Sequence, residues 1–152
     1  MREQFSVLML IVTVALIAGC GSSNTTSTSS LTKAEFIKQA DAICLKSTKG
    51  IEADFSSFAK ERGSFKNAAS SKSMAEFSSS TILPALSSEA EKLRALGAPG
   101  GEEDDVDAIL TPFEVGIEER ENAGVSGHGA NPEIAKANKL AAEYGLKVCV
   151  TS

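Results

Sequence analysis

Residues 31–44 read LTKAEFIKQADAIC and contain the start of the first predicted helix. Thr32 and Glu35 have the spacing of a capping box, and Leu31 precedes them as the outer half of a hydrophobic staple. Apolar side chains then recur at helical spacing along one face, at Ile37, Ala40, Cys44, Ile51, Phe55 and Phe58. The sequence therefore predicts an amphipathic helix that starts after Thr32 and ends near Gly63.

The second predicted helix lies in the middle of the chain. Ser73 and Glu76 repeat the capping-box spacing, and Gly97 follows the last residue of the apolar stripe. Pro84 falls inside this stretch, so the helix either kinks there or begins only near Ser80.

Two more helices are predicted in the last third of the chain. An acidic segment opens the third at Glu102, and this helix contains Pro112. Asn131 has the character of an N-cap, and the proline after it suits the first helical position. The fourth helix either stops at Gly145 or continues through Val148.

These patterns define the fold class. No alternating run of β-branched residues competes with the helical periodicities. Four amphipathic helices joined by short polar turns predict an all-α domain, a four-helix bundle with up-down-up-down topology. In that topology the first and fourth helices are antiparallel neighbours, which brings Cys149 near Cys44.

The N-terminus has the pattern of an export signal. Arg2 precedes an apolar run from Phe5 to Ala18, which as a helix spans about 21 Å, less than the roughly 30 Å of a bilayer's hydrocarbon core. Leu16-Ile17-Ala18-Gly19-Cys20 resembles a bacterial lipobox, which signal peptidase II cuts before a cysteine that carries lipid. The resemblance implies a lipoprotein signal peptide over residues 1–19 and lipidation of Cys20. An ordinary secretory signal is the alternative.

The predicted mature chain begins with this cysteine and a linker. Residues 20–30 comprise the acylated cysteine and a Ser/Thr-rich stretch without charged or large apolar side chains, which is typical of a flexible tether. Residues 31–152 then form the helical bundle domain. We expect an extracytoplasmic protein that is anchored to the cell membrane by acyl chains and does not span it.

Two cysteines remain after lipidation of the first. An even number of cysteines in an oxidising compartment predicts a disulfide between Cys44 and Cys149. The alternative is two buried, unpaired thiols. Neither cysteine has a second cysteine or a histidine at metal-ligand spacing, so we expect no zinc site.

The charge pattern excludes some functions. The chain has 20 acidic and 15 basic residues, a balance that argues against a nucleic-acid partner. The densest acidic cluster consists of Glu102, Glu103, Asp104, Asp105 and Asp107. It lacks the spacing of a calcium loop, and acidic residues in a first helical turn are favoured by the helix dipole. His128, the single histidine, has no motif for a nucleophile or an orienting carboxylate around it, and we predict no metal site, cofactor or catalytic residue.

Three segments resemble a family of small helical proteins. They are Ala34-Glu35-Phe36-Ile37 through Ala40-Asp41-Ala42-Ile43-Cys44, Leu93-Arg94-Ala95-Leu96-Gly97-Ala98-Pro99, and Tyr144-Gly145-Leu146 through Cys149. They are similar to secreted or lipid-anchored proteins of high-GC Gram-positive bacteria. The resemblance supports the disulfide and implies no active-site residues, because the group has no established activity.

The sequence thus favours a non-enzymatic, lipid-anchored cell-envelope protein that serves as a binding or interaction module. Its partners would be the membrane, through the lipid anchor, and an envelope protein or polymer. The second hypothesis is a helical bundle with an internal pocket for a small ligand near Pro84 and Pro112, and an enzyme is the third.

Lipidation at Cys20 has a direct test. Mass spectrometry of the mature N-terminus, isolated from cells, should show an acylated cysteine, and Cys20→Ser should leave the signal peptide uncleaved, because signal peptidase II cuts before a cysteine that carries lipid. An unmodified cysteine or a different first residue would contradict this prediction.

Overall fold

The computed structural model describes residues 31–124 and 130–149, and every regular element in these ranges is helical. The all-α fold class is therefore confirmed for this part of the chain. None of its helices is long and apolar enough to cross a membrane. The predicted signal peptide, Cys20 with its linker, and His128 lie outside the described residues.

The first helix, α1, spans Lys33–Glu61 and has the predicted boundaries. The Glu35 N–H donates to Thr32 Oγ1 at 3.3 Å, and the Thr32 N–H donates to Glu35 Oε2 at 2.9 Å, which completes the capping box. The helix ends before Gly63, whose φ of +76° lies in the left-handed region that favours glycine. At 1.5 Å per residue, α1 is about 43 Å long.

The predicted start of the second helix at Ser73 is wrong. A short helix, α2 (Phe65–Ala68), comes first, and α3 (Ser71–Phe77) begins two residues before Ser73. The N-cap is Ser70, whose Oγ accepts from the Ser73 N–H at 3.3 Å. Ser73 lies inside the helix and is buried, and its Oγ accepts from the Ser70 hydroxyl at 3.0 Å instead of capping the helix.

The chain stays helical through Pro84, so the alternative of a helix starting near Ser80 is wrong. A π-helical turn, Ser78–Ile82, links α3 to α4 (Leu83–Leu96), and within it the Leu83 N–H donates to the Ser78 carbonyl. A proline ring clashes with the carbonyl four residues earlier in an α-helix, and the wider π turn lies where that clash would fall. As predicted, α4 ends at Gly97, which has a φ of +70°.

The last two helices match their predicted starts. The acidic segment opens α5 (Glu103–Ala123), which continues through a buried Pro112. Asn131 caps α6 (Pro132–Tyr144), because its Oδ1 accepts from the N–H groups of Glu133 and Ile134, both at 2.9 Å. Of the two predicted ends of α6 the structure has the first, with Gly145 in the left-handed region.

Helix packing follows the order of the chain. The long helices contact their sequence neighbours: α1 packs on α4, α4 on α5, and α5 most extensively on α6. Gly116 allows the last of these pairs to approach closely, because a Cβ there would lie 2.5 Å from Ile134 Cγ1. Two apolar clusters result, one around Phe36, Cys44, Leu93, Val106 and Tyr144, and one around Leu83, Leu86, Phe113 and Ile117.

The segment after α6 returns to α1 and closes the domain. Asp41 Oδ1 accepts from the N–H groups of Lys147 at 3.0 Å and Val148 at 2.9 Å. One residue later, Cys149 Sγ lies 2.02 Å from Cys44 Sγ, with the two Cα atoms 5.1 Å apart. This is disulfide distance, so the alternative of unpaired thiols is wrong.

Removing the disulfide should destabilise the domain strongly. The bond joins residues 105 apart, and closing a loop of that size corresponds to about 4–5 kcal/mol in the chain-entropy model. Denaturant unfolding of the double variant Cys44→Ala, Cys149→Ala should show a loss of this order. The matched control is Leu45→Ala, an exposed neighbour, which should change the unfolding free energy by less than about 0.5 kcal/mol. Equal stability of wild type and double variant would contradict the structural role of the bond.

Candidate functional site

The acidic start of α5 does not converge on a single point. Glu102 turns toward α1, where its Oε2 lies 3.2 Å from Lys33 Nζ. Asp107 pairs instead with Arg94 of α4. Within residues 31–124 and 130–149 no group of three or more His, Cys, Asp or Glu side chains is placed to hold a metal ion. The carboxylates that have partners thus connect α5 to its neighbouring helices.

Lys33, Glu102 and Tyr144 form one of these connections. The Tyr144 hydroxyl, and then Lys33, hold the pKa of Glu102 below its ordinary value. Lys33 Nζ also lies 3.9 Å from the centroid of the Tyr144 ring, in cation–π geometry. The three side chains connect the starts of α1 and α5 to the end of α6. Their contacts therefore have a structural role.

Arg94 makes the second connection, between α4 and α5. Its Nε donates to Glu114 Oε1 at 2.8 Å and its Nη2 donates to Glu114 Oε2 at 2.9 Å, a bidentate pair. These hydrogen bonds, together with the pair to Asp107, raise the pKa of the guanidinium. All three side chains reach solvent and have partners, which is typical of a structural ion network.

Glu89 differs from Glu102, Asp107 and Glu114 because no salt bridge within the described residues holds it. It lies on the buried face of α4 with 3% of its surface exposed, and its Oε2 has no hydrogen-bond partner within normal geometry. The buried hydroxyl of Ser47 on α1 faces this carboxyl. Burial raises the pKa of the Glu89 carboxyl above its ordinary value, while the Ser47 hydroxyl and then the Lys92 charge lower it.

A groove between α1 and α4 has Glu89 in its lining. Its volume is about 330 Å³, and it is lined by Ile43, Lys46, Ser47, Gly50, Ile51, Asp54, Ala85, Ser88, Glu89 and Lys92. On its inner side Glu89 also borders an apolar cavity of about 30 Å³ in the core. That cavity has room for about one water molecule, so only the outer groove has the size of a ligand site.

Neither proline lines the candidate site, although Ala85, the neighbour of Pro84, does. A cleft of about 290 Å³ does lie beside Pro84, but it contains no buried acid. Next to Pro112, Phe113 lines only the small inner cavity. The described residues that combine a pocket with an unpartnered buried acid are those of the α1–α4 groove.

Gly50 lies in the wall of this groove, inside α1. Its backbone is helical, and a Cβ added there would meet no atom within 4 Å. Glycine in a helix interior costs about 1 kcal/mol relative to alanine. Neither backbone conformation nor packing within the domain requires a glycine here, and its effect is to widen the groove.

Sequence reasoning missed Glu89, although a signal was present. Leu86, Ala90 and Leu93 define the buried face of α4, and Glu89 has the helical spacing to share it. A carboxyl in that register is the kind of buried charge that requires a partner. Ser47 and the groove itself depend on how α1 pairs with α4, which no local pattern reveals.

No protein-family model matches this chain, and neither the curated proteins nor the solved structures contain a significant match.

The raised pKa of Glu89 predicts a pH-dependent stability. The folded protein keeps the Glu89 proton over a pH range in which the unfolded chain has released it, so the contribution of this group to stability is highest at low pH. It should fall as the pH rises from about 4.5, the ordinary value, through the raised folded value, and then level off. The measurement is the urea midpoint as a function of pH.

Glu89→Gln tests the assignment, because the amide stays neutral and removes this contribution. The control is Glu91→Gln, an exposed acid on the same helix, which should keep the wild-type slope. Parallel pH profiles for wild type and Glu89→Gln would contradict the prediction.

Proposed function

We propose that this protein is a non-enzymatic, lipid-anchored, extracytoplasmic binding protein whose binding site is the α1–α4 groove. The observation that carries the proposal is Glu89, a buried carboxyl with a partnerless oxygen in the lining of that groove. Other features support the attachment of the protein to the membrane and the position of the groove relative to that membrane.

An unpartnered buried acid is unfavourable for folding. Leaving a buried acceptor unsatisfied costs about 1–3 kcal/mol, and an apolar side chain at position 89 would avoid that cost. A site that receives a ligand explains both the acid and the empty space beside Gly50, since a bound molecule would supply the missing contacts.

The cysteines support the extracytoplasmic placement. Structural disulfides form and persist in oxidising compartments such as the cell envelope, and are rare in the cytosol. The Leu16-Ile17-Ala18-Gly19-Cys20 pattern at the end of the apolar run supports cleavage, lipidation and membrane attachment. The first argument rests on Cys44 and Cys149, and the second rests on Cys20.

The contacts of the long helices support the up-down-up-down bundle. We propose that α1, the run of α3 with α4, α5 and α6 are its four members, because each packs on the next. At one end the ring centroids of Phe36 and Tyr144 are 5.9 Å apart, which places the start of α1 beside the end of α6.

This arrangement would present the groove away from the membrane. Leu31, the first described residue, packs on the cluster that contains Cys44, so a tether from Cys20 would reach the domain at its disulfide end. A ten-residue polar linker has an r.m.s. span of about 17 Å. The groove begins near Ile43 and continues along α1 beyond Gly50, farther from that attachment point.

Crosslinking in the native envelope tests the function. An amine-reactive crosslinker would react at Lys46 and Lys92 in the groove lining, and mass spectrometry would identify what is attached. Gly50→Leu should abolish the adduct, because the new side chain fills the groove. The control Ala53→Leu adds the same side chain at an exposed position of α1 outside the groove lining, and should leave the adduct unchanged. An adduct that is absent from wild type, or equal in all three proteins, would contradict the proposal.

A further inference from the structure

Three kinds of side chain line the α1–α4 groove. Glu89 contributes a buried carboxylate oxygen without a hydrogen-bond partner in normal geometry, and the buried Ser47 hydroxyl faces it. Ile43 and Ile51 of α1 contribute apolar surface. A ligand that satisfies both kinds of group must carry hydrogen-bond donors at one point and an apolar body beside it.

The third kind is cationic. Lys46 and Lys92 line the groove, and neither forms a salt bridge within the described part of the chain. Asp54 and Glu89 are the acidic residues of the lining, and the Lys92 charge acts on Glu89. Two lysine side chains that form no close ion pair favour an anionic group on the bound molecule.

We propose that the groove binds an aliphatic α-amino acid. Its ammonium group donates to Glu89 and Ser47, its side chain packs on Ile43 and Ile51, and its carboxylate faces the two lysines. The proposal rests on the proposed function, because it names the ligand class of the same groove.

Alternatives with a single charge fit less well. An ammonium group has three donors and meets an acceptor-only carboxylate with charge-assisted hydrogen bonds. A simple carboxylic acid would bring a second negative group to Glu89, and a simple amine would leave the lysines without a partner. The volume of about 330 Å³ is at the lower end for ligand pockets, which suits a molecule of amino-acid size.

Calorimetric titration of the full-length protein in detergent tests the ligand class. The probes are L-leucine, isocaproate, which lacks the amine, and isopentylamine, which lacks the carboxylate. L-leucine should bind saturably at millimolar concentration or below, isopentylamine more weakly, and isocaproate least.

Variants assign the contacts. Glu89→Gln preserves side-chain volume and should weaken leucine binding by about tenfold or more, because a charge-assisted contact is lost. Ser47→Ala should weaken it less. Glu91→Gln lies outside the groove lining and should bind as wild type does. Circular dichroism would verify that each variant is folded.

The outcomes separate this proposal from the proposed function. Absence of leucine binding, isocaproate binding as tight as leucine, or an unchanged affinity in Glu89→Gln would each overturn the amino-acid assignment. If the crosslinked adduct were still lost in Gly50→Leu, the groove would remain the binding site for another class of ligand. If leucine did not bind and Gly50→Leu also kept the crosslinked adduct, the proposed function would be overturned as well.

Discussion

The attachment of the C-terminal segment to α1 is the constraint on which the rest of the fold depends. The long helix that packs on α1 is α4, whereas α5 packs on α4 and on α6. Gly145 ends α6 in a left-handed conformation, so that the next residues reach Asp41 and Cys149 reaches Cys44. Two hydrogen bonds and one covalent bond thereby hold the two ends of the domain together.

This closure leaves the middle of α1 free to form a groove. The disulfide and the cluster around Phe36 hold the start of α1, and farther along the helix the α1–α4 contact includes Ser47, Gly50 and Glu89. Stability and the proposed binding function would thus be served by different parts of one helix. The acid and the glycine reduce stability in the groove, and the closed end of the domain offsets this cost.

Local signals allowed much of the fold to be predicted. Thr32 with Glu35, and Asn131 with Gly145, define helix ends through hydrogen bonds to residues at most four positions away, so the sequence alone contains the information. Ser73 misled the prediction because Ser70, three residues earlier, is the N-cap and accepts from the Ser73 N–H, and because tertiary packing buries Ser73.

The candidate site was less predictable for a physical reason. Glu89 can be recognised from its register on α4, but its meaning depends on Ser47, which lies 42 residues earlier and reaches it only through the α1–α4 contact. The π turn that keeps the helix continuous through Pro84 also contributes, since it sets how α4 enters that contact. Capping and periodicity patterns do not show which helices pack on each other, nor which residues of the two helices meet.

The disulfide also determines when a newly made chain can reach its full stability. It joins two positions 105 residues apart, so nearly the whole domain must be present before it can form. In a reducing cytosol the chain would lack this bond and its share of the stability. On the proposed route out of the cytosol, a newly made chain would stay easier to unfold while it is threaded through a secretion channel, and the disulfide would stabilise it only after it had crossed.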